Sequence, residues 1–328
     1  MKILAYAARP DEMKGFHQFE KELGLEITYV TQNLSYENAH LAQGFKGVTI
    51  LGNCCATKAV LQLLAQQGVQ FLASRSAGYN NIDLIAAKEL GIRVSNATYS
   101  PNSVAEFAVM LMLMLNRRVS TALRRYGCDD YSLQGLIGKE LRNQTIGVIG
   151  TGRIGQTVIK NLSGFGCEIL AYDVKPSKEL SSYATYVSLE ELLHQSDIIT
   201  LHAPLIDSNY HLINERTIAQ MKPGVQLINT ARGELINTID LITNLESGHI
   251  GGVALDVLEG ESGIFHSDCR VKGITHHELA ILKQKNNVML TNHYAFYTEQ
   301  AVFDMVECGL KSLVQFMSIH ESDWEIKC

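Results

Sequence analysis

Asp173, His202, Arg232, Asp256, Glu261 and His293, which stand at or just beyond the ends of expected strands, offer the residue types that together suit the reduction of a carbonyl beside a carboxylate. A guanidinium presents two parallel N–H groups that match a carboxylate. An imidazole in its ordinary titration range can hand a proton to a developing alkoxide. A carboxylate next to an imidazole favours the charged acid that such a reduction consumes. Taken singly, each has a plainer explanation: a loop arginine is more often a solvated charge, a lone histidine is usually structural, and Glu259-Gly260-Glu261 reads equally well as an acidic turn. A second set of residues has a different use. In TIGVIGTGRIGQ (145–156), Ile146, Val148 and Ile149 lead into Gly150, Gly152 and Gly155, and Val158, Ile159 and Leu162 return at helical spacing. That is strand, tight turn and helix. Gly150 makes the turn, Gly152 lets backbone approach a pyrophosphate, and Gly155 lets helix pack on strand, with the helix N-terminus toward the phosphates. The run EILAY (168–172) reads as the next strand and ends at Asp173, 21 residues after Gly152, where an acidic residue accepts the ribose hydroxyls of NAD.

The elements that must position these residues are legible as alternation. Strands are expected over 3–7, 27–30, 48–51, 71–74 and 92–95, with helical patterns through Glu20 and over 59–65, so the first part is a parallel sheet with helices on its faces. Its isolated glycines form no phosphate fingerprint. Pro101 then opens a long helix, with Ser100 as the expected N-cap, that runs to about Arg125 and contains the nine-residue apolar run FAVMLMLML (107–115). That run is about half the length of a bilayer crossing and reads as a buried helix. After the fingerprint, strands are expected over 168–172, 197–201, 225–229, 253–255 and 288–291. Asp173, the set His202, Ala203 and Pro204, the set Thr230, Ala231 and Arg232, then Asp256 and His293 all fall at strand ends, where a doubly wound fold binds its ligands. A terminal helix over 298–319 has no strand after it and needs a surface. Docked on the first part, it makes that domain discontinuous: 1–98 plus 298–328 for the substrate domain and 99–297 for the dinucleotide domain.

Composition narrows the partners. With 328 residues, 46% hydrophobic residues and a net charge of −6, the chain reads as two globular domains without a basic stripe, so neither nucleic acid nor an anionic membrane is an expected partner. The seven cysteines show no C-x-x-C pair or regular spacing, which suits free thiols in a reducing compartment and no metal site. The N-terminal MKILAYAARPDE lacks the apolar stretch of a signal peptide, and a cytoplasmic location is expected.

The ordered set of motifs resembles the D-isomer-specific 2-hydroxyacid dehydrogenases, and within them the D-lactate dehydrogenase group. It consists of the glycine fingerprint, Asp173, LHAPL (201–205), NTARGELI (229–236), GGVALDVLEGE (251–261) and NHYAFYTEQAV (292–302), with SRSAGYNNID (74–83) and YSPNSVAEF (99–107) extending it over nearly the whole chain. The resemblance implies two doubly wound parallel-sheet α/β domains, a Rossmann-type cofactor domain and a flavodoxin-like discontinuous catalytic domain, in a homodimer built around the helix after Pro101. It assigns the substrate carboxylate to Arg232, acid/base work to His293 and its carboxylate partner to Glu261. Asp256 is placed near the nicotinamide, backbone groups of Ala77 and Gly78 at the substrate carboxylate, and Tyr99 near the substrate. NAD is expected on Gly150, Gly152, Arg153, Ile154, Gly155, Asp173, His202, Ala203, Pro204, Thr230, Ala231, Arg232, Asp256, His293 and Ala295. One departure is Asn292, where many relatives carry proline. The expected substrate is pyruvate, reduced to D-lactate. Larger 2-keto acids such as phenylpyruvate or 2-ketoisocaproate follow, because Leu51 stands where lactate-preferring relatives often carry a bulkier polar aromatic. A non-catalytic NAD-sensing module is the reading from another class, opposed by the joint presence of Arg232, Glu261 and His293.

Overall fold

In the computed structural model of the chain, which describes residues 1–271 and 273–327, the short apolar runs become parallel strands and the amphipathic stretches become covering helices. By its internal contacts the chain divides into two units, Met1–Ser100 with Tyr297–Cys328, and Pro101–Phe296. The first unit holds β1 (Lys2–Ala5), β2 (Glu26–Tyr29), β3 (Gly47–Ile50), β4 (Phe71–Ser74) and β5 (Arg93–Ser95), in the order β2-β1-β3-β4-β5. This is the flavodoxin-like order. β3 and β4 are buried at every residue, as a parallel sheet covered on both faces demands. The terminal helix Glu299–Ile319 supplies much of the cover: Val306, Leu310, Leu313 and Phe316 join Ile3, Phe16, Phe19 and Phe71 in one core, with the Phe71 and Phe316 rings stacked at 5.3 Å. Thr298 caps this helix, its side chain accepting from the N–H of Ala301.

At the carboxyl ends of β1 and β4 lies an ion pair that no motif announced. Arg75 and Glu12 are both fully buried. The guanidinium donates to both Glu12 oxygens at 2.8 and 3.2 Å, to the carbonyl oxygens of Tyr6 and Ala7 and to Thr49, and lies 5.1 Å over the Phe16 ring. A buried charge persists on such terms, paired and with its donors used.

The second unit holds β6 (Thr145–Ile149), β7 (Glu168–Tyr172), β8 (Thr185–Tyr186), β9 (Ile198–Leu201), β10 (Val225–Asn229), β11 (Ile250–Leu255) and β12 (Val288–Leu290). Their order is β12-β11-β10-β9-β6-β7-β8, the Rossmann order with one strand added beyond β11. The strand order reverses between β6 and β9, and ligands of such sheets bind outside the carboxyl ends there. The two-residue β8 was not foreseen.

The long helix after Pro101 differs from expectation. It ends at Asn116, and a second helix, Val119–Tyr126, follows a break in which Arg118 takes a left-handed conformation with φ 54°. Polar Asn116, Arg117 and Arg118 end the apolar run, and Asn116 turns its amide to Lys139 and Gln144. The N-cap is Pro101 and not Ser100: Pro101 is already helical, its carbonyl accepts from Ala105, and Ser100 donates its backbone N–H to Asp304. Among the described residues no helix is long and apolar enough to cross a membrane, and Cys54, Cys55, Cys128, Cys167, Cys269 and Cys308 are free thiols. Cys328 lies outside the described residues.

Candidate active site

The phosphate-facing turn forms where β6 ends. Gly150 turns the chain with φ 92°, and its N–H donates to the Tyr172 carbonyl of β7. A Cβ on Gly155 would lie 1.9 Å from the Gly150 oxygen, so only glycine lets this helix pack so close to the strand. Gly152 has open space around it and is the N-cap of the helix Arg153–Ser163, with no side-chain cap; Gln156 is the first residue whose N–H closes a helical turn. The N–H groups of Arg153 and Ile154 are thereby left for an anion.

Asp173 stands at the end of β7, tied back onto this turn. Its Oδ2 accepts from the backbone and hydroxyl of Thr151 at 2.6 and 3.1 Å, and its Oδ1 from the Lys175 N–H at 2.8 Å. Three of the about four acceptor sites of the carboxylate are used, which leaves one for a ribose hydroxyl. The Thr151 hydroxyl in turn accepts from Tyr186 at 2.8 Å. At the end of β9, the His202 N–H donates to Ile149 of β6 and its ring bonds the Thr200 hydroxyl. Desolvation pushes the His202 imidazole down to about 3, so it is neutral near pH 7. Ala203 and Pro204 continue this loop, which Asn209 fastens through the Pro204 carbonyl.

The three candidates for chemistry follow neighbouring strands. Arg232 comes three residues after β10, and Asn229 pins its loop by accepting from Ala231 and donating to the Arg232 carbonyl. The Arg232 guanidinium donates to the Ala231 carbonyl at 2.6 Å. Thr230 is buried in the same loop, and its hydroxyl has no partner among the described residues. A Cβ on Gly233 would lie 2.1 Å from the backbone of Leu258, so the Arg232 loop packs directly on the turn that carries Glu261.

Asp256, at the end of β11 and 1% exposed, organises the next loop. Its carboxylate accepts from the Thr291 hydroxyl at 2.6 Å and from the N–H groups of Tyr294 and Ala295 at 3.0 and 2.9 Å; its carbonyl takes the His293 N–H at 2.7 Å. The Ala295 N–H is thus spent on Asp256. His293 itself has φ 57°. The imidazole Nδ1 is hydrogen-bonded to Glu261 Oε1, and Glu261 Oε2 accepts from the Leu258 N–H at 2.7 Å. A carboxylate only accepts here, so Nδ1 carries a proton and Nε2, without a partner among the described residues, is the position that can exchange one. The structure thus joins His293 to both Glu261 and Asp256.

In the first unit, Ala77 and Gly78 lie in the loop after β4. Their N–H groups have no hydrogen-bond partner among the described residues, while Ser76 and Asn96 fix the neighbouring carbonyls. Tyr99 lies in the segment after β5, and Leu51 follows β3 with its side chain in the core. Asn229, Thr151 and Gly233 stand inside the motifs, whose spacing assigns them no task, and Thr291 stands just outside one. The common signal is a short polar or glycine residue at a strand end, where a loop needs its own donors and acceptors.

The uncapped helix terminus, the open space at Gly152, the spare acceptor of Asp173 and the unpartnered Thr230 hydroxyl fit a dinucleotide. Comparison with known proteins agrees. Residues 109–295 match the family model for the D-isomer specific 2-hydroxyacid dehydrogenase NAD binding domain. The chain is 48% identical over 318 residues to an aromatic 2-oxoacid reductase of Clostridium sporogenes, covering 96% of each chain. It is 39% identical over 330 residues to a D-lactate dehydrogenase of Lactiplantibacillus plantarum, covering 100% of this chain and 99% of that one. Among solved structures, D-2-hydroxyisocaproate dehydrogenase superposes with a TM-score of 0.90 at 40% identity over 99% of each chain. The chain therefore belongs to the D-isomer-specific 2-hydroxyacid dehydrogenases and is an NAD-dependent oxidoreductase.

Proposed function

We propose that the protein reduces 2-keto acids to D-2-hydroxy acids with NADH, pyruvate to D-lactate first, using Arg232, Glu261 and His293. The observation that carries this is the imidazole held through Nδ1 by Glu261, with Nε2 left to donate, just beyond β12 of a sheet in which β11 stands between β12 and β10, the strand that ends in the Arg232 loop. When bound, NADH supplies the hydride. Arg232 grips the substrate carboxylate, and His293 gives its Nε2 proton to the carbonyl oxygen. Glu261 keeps the ring oriented, and Asp256 fixes the loop. The N–H groups of Ala77 and Gly78, without partners among the described residues, are assigned to the carboxylate, and Tyr99 to the substrate's neighbourhood. Units 1–98 plus 298–328 and 99–297 are taken as substrate and cofactor domains.

A second reading, preference for larger 2-keto acids, is favoured by the apolar Leu51 and by the 48% identity to an aromatic 2-oxoacid reductase. Turnover of a panel of 2-keto acids with NADH tests both. D-lactate from pyruvate supports the first, a much lower KM for phenylpyruvate or 2-ketoisocaproate supports the second, and no turnover of any member contradicts the function.

Arg232→Lys keeps the charge and loses the fork, so KM should rise and kcat fall together, with kcat/KM down about ten- to hundredfold. Unchanged kinetics removes Arg232 from the site. Asp173 sets the choice of cofactor. A 2′-phosphate about 4 Å from its carboxylate is repelled by roughly 4 kcal/mol at an effective dielectric near 20. Lys175, two residues on, offsets part of this, so kcat/KM should favour NADH over NADPH by at least about tenfold; equal rates contradict the assignment.

We further place the protein in the cytoplasm as a homodimer. Free thiols support the first, and the second rests on the helix Asn102–Asn116, where Met110 is 38% exposed and Phe107, Leu113 and Met114 are half-covered.

A further inference from the structure

His266 lies in the loop between β11 and the helix His277–Gln284, five residues beyond Glu261, and no motif singled it out. Its Nε2 is 2.8 Å from the carbonyl oxygen of His293. A carbonyl oxygen only accepts, so Nε2 carries the proton and donates, whether the ring is neutral or charged. The His266 ring is 5.8 Å from the His293 ring at 50°, and both face Phe296, at 6.3 and 6.5 Å.

Both histidines are left-handed, with φ 62° at His266 and 57° at His293. Residues with a side chain disfavour this conformation, and it persists where surrounding bonds over-determine it. Around His293 those bonds fall into two groups. Asp256 takes the N–H groups of His293, Tyr294 and Ala295. The carbonyl of His293 is held by His266. Tied at its oxygen and at the Tyr294 N–H, the peptide plane after His293 is fixed from both sides, and the direction of the Cα–Cβ bond is fixed with it.

We propose that His266 is a positioning residue for the reduction: it donates to the His293 carbonyl and so keeps the imidazole aimed at the reacting oxygen. This rests on the reading of His293 as the proton donor. The test compares the full chain with His266→Phe, which keeps a ring and loses the donor, and His266→Gln, whose amide reaches the same place and restores it. His266 is exposed, so neither change threatens the fold. In His266→Phe, kcat for pyruvate and phenylpyruvate with NADH should fall about tenfold at nearly unchanged KM. Amide hydrogen exchange of peptides spanning 292–297 should quicken by a similar factor. His266→Gln should restore both to within about threefold of the parent. Unchanged exchange in His266→Phe, faster exchange without loss of kcat, or failure of His266→Gln to restore either overturns the proposal. Absence of turnover in the parent chain overturns the dehydrogenase reading instead, and the exchange comparison then still decides whether His266 holds the loop.

Discussion

Replacing His293 by Ala should lower kcat for 2-keto acid reduction by about 10² to 10⁴, the range general acid catalysis supplies, while the Kd for NADH stays near its original value. The separation follows from the geometry. Pyrophosphate and ribose are assigned to the end of β6 and to Asp173 at the end of β7, whereas His293 stands beyond β12. Glu261→Ala should cost about 10 to 10² by itself, since it removes the acceptor that fixes Nδ1–H and leaves Nε2 in place. In the His293→Ala background the same change should cost almost nothing, because a carboxylate that acts through an imidazole has no task once the imidazole is gone. Additive losses in the double variant would mean that Glu261 acts by itself, and an unchanged kcat in His293→Ala would remove the proton donor from the mechanism.

The second large effect concerns stability. Glu12→Leu should lower the free energy of urea unfolding of the full chain by about 3–5 kcal/mol, because it leaves the Arg75 guanidinium buried without its counter-charge. The penalty exceeds the loss of the three hydrogen bonds that the Glu12 carboxylate accepts, two from Arg75 and one from the Arg9 N–H. Arg75 would keep Tyr6, Ala7 and Thr49 as partners, yet none of these neutralises it. The double replacement Glu12→Leu with Arg75→Met should recover most of the loss, since an apolar pair of similar volume removes both charges from the interior. A double variant as unstable as the single one would show that packing around Phe16 and Gly309, and not charge, holds this part of the fold.

What was legible in the chain, and what was not, divides by the distance over which the cause acts. The glycine turn at 150–155 and Asp173 follow from local backbone needs within a strand, a turn and a helix, so the residues themselves announce them. The strand-end residues Arg232, Asp256 and His293 were legible because apolar runs end abruptly in polar residues. The break at Arg118 was not: a left-handed arginine between two helices is set by what surrounds it, and helix propensity argues for continuation through Leu123. The pairing of Arg75 with Glu12 joins residues 63 apart, and the hold of His266 on His293 joins residues 27 apart. Neither has a period or spacing to betray it. The motifs thus pointed to the groups assigned to chemistry, while the contacts that keep those groups in place arise from tertiary packing.

A crystal structure of the protein with NADH and oxamate shows whether Arg232, Glu261 and His293 meet at one substrate. The Arg232 fork should lie on the oxamate carboxylate, with His293 Nε2 within about 3 Å of the oxygen that stands for the substrate's keto oxygen. Glu261 should still be bound at Nδ1. Oxamate seated beside the nicotinamide with Arg232 and His293 turned into separate pockets would contradict this arrangement.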